Sequence, residues 1–244
     1  IILFNSHHYL NEVARLKARY PGKLFVHRVD GPIQLIRNDK GITDKTIFQK
    51  NTELADVTVF QSQWSLKETE KLGYSFKRPV VITNAADPRL FFPAKHKFKL
   101  AEKSRINIVS SSWSTNERKG LHDYVFIDDH LDWNKYRFTF VGNIKATFKH
   151  IHHIPPMRSK KLAKTLGKHD MYLAPSINDP CSNALIEALS CGLPALYRNS
   201  GGHPELVGQG GVSYNGQKTL LQAMEKLVDH YEYFKRKIDK PDIF

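Results

Sequence analysis

The sequence predicts an α/β fold in two units, each with a parallel sheet, and three observations predict it. Short β-rich apolar runs alternate with stretches of helical periodicity, the mark of βαβ units. A proline- and lysine-rich stretch near residues 94–104 interrupts the alternation, and the pattern starts again at Ile106. A chain of 244 residues with 41% hydrophobic and 11% aromatic content can build two cores.

Taken in order, "KLFVHRVD" reads as a strand, "DKTIFQKNTELA" as a helix, "DVTVFQS" as a strand, "WSLKETEKLGY" as a helix and "PVVITNAAD" as a strand. These place a first domain at 1–93. The chain opens in mid-pattern, without the glycine-rich turn that usually follows the first strand of a doubly wound sheet, so the first domain is expected to lack its N-terminal part. After the linker come the strand "INIVSSS", a helix near "KGLHDYVFID", the strand "YRFTFVGN", a helix near "SKKLAKTLGKH" and the strand "MYLAPS". A helix opened by "DPCSN", the strand "PALYRN" and a helix starting near Pro204 complete a second domain at 105–228. An amphipathic helix, "KTLLQAMEKLVDHYEYFKRKI", carries the chain into a C-terminal segment at 229–244.

Composition narrows the function classes. A formal charge of +13 points to anionic company, such as nucleotide phosphates, nucleic acid or an acidic membrane face. No run approaches the roughly 18 apolar residues of a bilayer span, and "IILFNSHHYLNEVARL" lacks the features of a signal peptide. Cys181 and Cys191, if they share a helix, stand roughly 15 Å apart, beyond disulfide reach. A reducing, cytoplasmic location is expected.

The stretch "YLAPSINDPCSNALIEALSCG" carries the chemistry. A strand ends in a polar loop, a helix follows, and Gly192 and Pro194 occupy stop positions. Asp179 before Pro180, or Ser182 before Asn183, can serve as N-cap. Either way the helix end offers N–H groups and a positive dipole to a diphosphate, at the carboxyl end of a strand. Glu187 lies one turn in, on the face of Asn183 and Cys191, where it can accept ribose hydroxyls. Alone, these are also an ordinary cap and a solvated acid.

The surrounding motifs decide between the two. "NAADPRLFFP", "RKG", "FVGN", "HDMYLAPS", "DPCSNALIEALSCGLPAL" and "NSGGHPELVG" follow one another in this order. From about Lys23 onward the chain resembles the family 4 glycosyltransferases of the GT-B fold. The resemblance implies two Rossmann-like domains facing a cleft, with a nucleotide-sugar donor held mainly by the second. It also implies a retaining, metal-independent transfer of a hexose from a nucleotide-diphosphate-sugar to a hydroxyl, with no cofactor. The family's E-x7-E motif stands here as Asp179 and Glu187, the first acid shorter by a methylene, and the resemblance gives Asp179 the sugar and Glu187 the ribose. Lys119 matches the family lysine at the diphosphate. The usual arginine position falls in "SSSWS", so Arg118 is the candidate substitute.

Gly201 and Gly202, lacking side chains, let backbone approach a ligand, with a simple tight turn as the plain alternative; Asn143 stands beside the base or caps the end of its strand, and the helix end at Ser182 and Asn183 holds phosphate. In the first domain Asp30 ends "FVHRVD" and is the candidate for the acceptor hydroxyl; a turn cap is its plain alternative. The acceptor implied is a glycan or a lipid-linked one.

Other signals fall away. No D-x-D element is present, and His150, His152 and His153 lack the spacing and companions of a metal site. No G-x-G-x-x-G after a strand, Walker lysine loop or G-x-S-x-G occurs. The stripe Lys160, Lys164 and Lys168, with Lys95, Lys97, Lys99 and Lys103, reads first as a solvated face and second as a contact with anionic membrane at the inner face. Nucleic acid is disfavoured because no recognition motif accompanies the charge. Two rivals stand beside the transferase: a nucleotide-sugar epimerase on the same fold, and a non-catalytic basic binding module.

Overall fold

The computed structural model describes residues 1–37, 39–94, 100 and 103–238. Lys95, Lys97 and Lys99 of the expected linker, and residues 239–244 of the expected C-terminal segment, lie outside them. By contacts the chain divides into two units: Ile1–Asn84 with Asn178–Cys181, and Ala85–Ile177 with the chain from Ser182 onward. The division differs from the boundary expected from sequence in two places. Residues 85–93 join the second unit, where a Cβ on Gly167 would touch Ala94 at 3.9 Å. The short run 178–181 joins the first, where the Asn178 side chain donates to the Leu35 carbonyl at 3.2 Å.

The first unit holds a parallel sheet in the order β1 (Ile2–Asn5), β2 (Phe25–Val29), β3 (Val57–Phe60) and β4 (Pro79–Val81). Its helices are α1 (Leu10–Arg19), α2 (Ile33–Arg37), α3 (Ile42–Leu54) and α4 (Gln63–Lys71). The strand β1 and the helices α1 and α2 are additions to the sequence reading. Helix α1 forms because Val13 and its neighbours pack on Phe4, Phe25 and Leu54 while Arg15 and Arg19 stay in water. Helix α2 is short and is held at its start by Asp44, which accepts the Ile33 and Gln34 N–H groups at 2.7 and 2.9 Å.

His27, on β2, is fully buried and stacks on Phe4. Its Nε2–H donates to the Ser6 carbonyl at 2.8 Å, and its Nδ1 accepts from the Asn51 amide at 3.0 Å. Burial pulls its pKa down to about 4, so at neutral pH it is a neutral core link between β1 and α3.

The second unit holds six strands: β5 (Ile106–Ser112), β6 (Tyr136–Gly142), β7 (His152–Ile154), β8 (Met171–Ala174), β9 (Ala195–Arg198) and β10 (Gly211–Tyr214). All pairings are parallel, in the order β10-β9-β8-β5-β6-β7. Strands are added outward on both sides of β5, so the order is doubly wound and reverses between β5 and β8. Strand β8 is buried at every position, as a central parallel strand must be. At the crossover Ser110 donates to the Leu173 carbonyl at 2.7 Å and meets the Tyr124 hydroxyl at 2.6 Å, which satisfies the buried polar groups there.

The helices are α5 (Leu121–His130), α6 (Ser159–Leu166), α7 (Asn183–Ser190), α8 (His203–Val207), α9 (Gln217–Asp229) and α10 (Tyr231–Ile238). The long amphipathic helix expected at the end is thus two, parted at His230; there Tyr231 turns inward and its hydroxyl donates to the Asp170 carbonyl at 2.9 Å. Helix α6 buries Leu162, Ala163 and Leu166 and exposes Lys160 and Lys164, the pattern of an amphipathic surface helix. No described helix is long and apolar enough to cross a membrane.

Candidate functional site

Within the second unit the sequence-predicted donor residues gather at the carboxyl ends of β5, β6, β8 and β9. The three serines closing β5 lead into a loop and a single 3-10 turn, Glu117–Lys119, whose Arg118 N–H donates to the Asn116 side chain at 3.0 Å. Gly120 follows with φ 101°, and a Cβ there would stand 2.2 Å from Pro175 Cγ. Only glycine allows the turn to lie flat on the end of β8. Arg118 and Lys119 are thereby brought to the reversal point; the Arg118 carbonyl accepts the Ile177 N–H at 2.8 Å.

Beside them, a small pocket is lined by Lys119, Leu121, Tyr124, Phe140, Asn143 and Ile144 among others. Asn143 follows the end of β6, and its side chain donates to the Trp113 carbonyl at 2.8 Å, tying the two loops together. Gly142 makes this possible, because a Cβ there would lie 1.8 Å from the Ser112 carbonyl oxygen.

Helix α7 has Ser182 as its N-cap; the hydroxyl accepts the Leu185 N–H at 3.4 Å. Of the two caps open to the sequence, then, the helix takes Ser182. Asp179 instead accepts the Cys181 N–H at 3.3 Å, in the run that packs with the first unit. Asn183 is exposed at the first helical position. One turn further, Glu187 is half-buried, and burial pushes its pKa up to about 7. No described residue donates a hydrogen bond to its carboxylate. Its charge acts on Tyr172, a tyrosine pushed up to about 12 chiefly by burial, whose hydroxyl lies 3.2 Å from Ser111 Oγ.

Between β9 and α8, Gly201 is buried with φ 65° and Gly202 caps the helix. The loop is fixed by a residue the sequence reading passed over. His203 is fully buried, donates from Nδ1 to the Arg198 carbonyl at 3.1 Å, and meets Ser176 Oγ at 3.2 Å through Nε2. Arg198 itself pairs with buried Asp123 at 2.9 Å, which also accepts the Tyr214 hydroxyl at 2.7 Å. The histidines near 150 are dispersed: His150 stacks on Trp133, and His153 donates to the Gly142 carbonyl at 2.8 Å.

In the first unit Asp30 follows β2 directly and stands in a closed ring of side chains. Its Oδ1 accepts from Arg28 Nη1 at 2.8 Å and from Gln61 Nε2 at 2.6 Å. The Asn84 amide donates to Gln61 Oε1 at 3.1 Å, and Arg28 Nη2 donates to Asn84 Oδ1 at 3.2 Å. Arg28 also reaches Asn5 Oδ1 at 2.8 Å. Gln61, Asn84 and Asn5 are not among the site residues named from the sequence. The signal that finds them is position, since each is a polar residue at or just past the carboxyl end of a parallel strand. After Asp30, Gly31 has φ 118°, and a Cβ there would stand 2.6 Å from Ser65 Oγ and 3.4 Å from Pro180 Cβ. Asp30-Gly31 and Asp179-Pro180 are therefore neighbours within this unit.

Two parallel α/β units, the second doubly wound, with cations and a helix start at its reversal point, define the class: a GT-B glycosyltransferase fold. Among solved structures, sucrose-phosphate synthase from Thermosynechococcus elongatus is similar at a TM-score of 0.75 and 14% identity, over 98% of this chain and 68% of that one. HepE of Anabaena in complex with UDP-glucose is similar at 0.76 and 13%, over 97% and 71%. The catalytic domain of starch synthase IV from Arabidopsis thaliana, bound to ADP and acarbose, is similar at 0.71 and 14%, over 98% and 68%. No curated protein matches the chain in sequence. Residues 108–230 match the family described as glycosyl transferases group 1, and the chain belongs to that family.

Proposed function

We propose that the protein transfers a hexose from a nucleotide-diphosphate-sugar to a hydroxyl of a glycan or lipid-linked acceptor, with retention and without a metal. The observation that carries this reading is Glu187: a half-buried carboxylate, raised to about 7 and lacking a hydrogen-bond donor among the described residues, one turn inside a helix that starts at a sheet reversal. Such a group is costly unless a ligand brings it donors, and a pair of ribose hydroxyls supplies them.

In this reading Arg118, Lys119 and the start of α7, with Ser182 and Asn183, take the diphosphate. They stabilise the charge that grows on it as its bond to the anomeric carbon breaks, which is the service a metal performs in other transferases. Asn143 faces the base, and the backbone at Gly201 and Gly202 closes on the ligand. Asp179 contacts the transferred sugar, and Asp30 orients the acceptor hydroxyl. Anabaena HepE carries UDP-glucose and the Arabidopsis synthase carries ADP, so the base is open to test. Titration calorimetry with UDP-, GDP- and ADP-glucose should find one tight donor, and Glu187→Ala should weaken it by about 10- to 100-fold, the loss of one or two hydrogen bonds to a charged group. Equal affinity in parent and variant would overturn the assignment.

A further inference from the structure

We propose that the outward face of α6 docks on an anionic lipid bilayer. Residues 154–169 include no Asp or Glu, and five cations among them, Arg158, Lys160, Lys161, Lys164 and Lys168, are exposed. None of the five stands in an ion pair with a described residue. Elsewhere on the surface Lys17 pairs with Asp56, Lys71 with Glu68 and Lys149 with Asp129. At about 100° per residue the three lysines within the helix fall on an arc opposite Leu162, Ala163 and Leu166, which are buried. This arrangement works against the helix itself. Arg158 is an N-cap without a side-chain hydrogen bond, Lys160 and Lys161 follow at once, and the first turn has no acid. Cations thus crowd the positive pole of the helix, where the dipole favours the opposite charge. A local preference broken in this way is accounted for when an external anion faces the row.

A second feature favours a bilayer over other polyanions. Phe92 is 56% exposed, and two residues further on Ala94 Cβ lies 3.9 Å from where a Cβ on Gly167 would stand, at the end of α6. Two residues of chain span at most roughly 7 Å, so an exposed phenyl group stands near the Lys168 end of the row. An apolar ring beside lysines suits the headgroup boundary, where the ring enters and the cations meet lipid phosphates. Reading a nucleic acid takes amide and stacking side chains, and the row carries none. Because the apolar face of α6 is occupied by the core, the helix lies on the bilayer and does not enter it, and the contact is chiefly electrostatic.

The test is flotation of the full chain with vesicles of phosphatidylcholine alone or with about 30% phosphatidylglycerol, at about 0.1 and 0.5 M sodium chloride. Binding should require the anionic lipid and fall steeply with salt. Lys160→Gln, Lys161→Gln and Lys164→Gln together should weaken it about a hundredfold, at about fivefold per cation. The equally charged combination of Lys23→Gln, Lys45→Gln and Lys67→Gln, at exposed lysines of the first unit, should change it by less than about fivefold. Phe92→Ala should weaken it about tenfold, as partial burial of one aromatic side chain implies. Inorganic phosphate should displace the protein no more than chloride does at equal ionic strength; stronger displacement assigns the row to a free anion and overturns the bilayer. Equal flotation with neutral vesicles, an equal loss in the two lysine combinations, full binding by Phe92→Ala, or duplex DNA held more tightly than the anionic vesicles overturns it as well.

Discussion

Replacing Glu187 by Gln should stabilise the protein at neutral and alkaline pH, because the native fold strains this carboxylate. Its pKa lies at about 7 against an ordinary 4.5, raised by burial. A carboxyl group raised in the folded state favours folding only while protonated. Its contribution is intact below about pH 4.5, falls as pH rises towards about 7, and stays lost above that. The difference amounts to about 3 kcal/mol at 1.36 kcal/mol per unit, and partial exposure trims it to about 2–3. Glu187→Gln keeps the shape and removes the charge, so at pH 8 it should unfold about 5–10 °C above the parent, at about 2–4 °C per kcal/mol for a unit of this size. At pH 4 the two should unfold together. Scanning calorimetry of both proteins from pH 4 to 8 reads the difference and cancels other titrating groups. The same charge is needed for the donor, so parent affinity should fall as pH drops below about 7 while the variant's weaker affinity stays flat. A difference that is constant with pH, or larger in acid, would refute the reasoning.

Two further outcomes follow from the structure. His27 has the opposite sign: its pKa is held at about 4 against 6.5 by burial, so its contribution is full above pH 6.5 and is lost as pH falls towards 4, by up to about 3 kcal/mol. His27→Gln, whatever its absolute stability, should show a flatter dependence across that window in urea unfolding. Gly142→Ala should cost more than about 2 kcal/mol, since its Cβ would lie 1.8 Å from a carbonyl oxygen at φ 133°, whereas Gly22→Ala, with nothing within 4 Å, should be nearly neutral in the same assay.

The sequence by itself determined the class of fold, the strands from Phe25 to Arg198 apart from short β7, and the helix that carries Glu187. Each is a local matter: apolar period sets strand or helix, and Gly192 and Pro194 mark the helix end through backbone geometry that only certain residues tolerate, whereas the choice of Ser182 over Asp179 as cap came from the structure. The short edge strand β1 and the short helix α2 escaped because few residues define them, and α2 depends on Asp44, ten residues away. Tertiary structure alone decided the rest. Arg28 and Asn84 lie 56 positions apart, and Ser176 and His203 lie 27 apart, yet each pair meets because parallel pairing lines up the carboxyl ends of successive strands. The raised pKa of Glu187 likewise depends on what covers it. Period and caps are written in neighbouring residues; desolvation and side-chain rings arise only when distant segments are packed together.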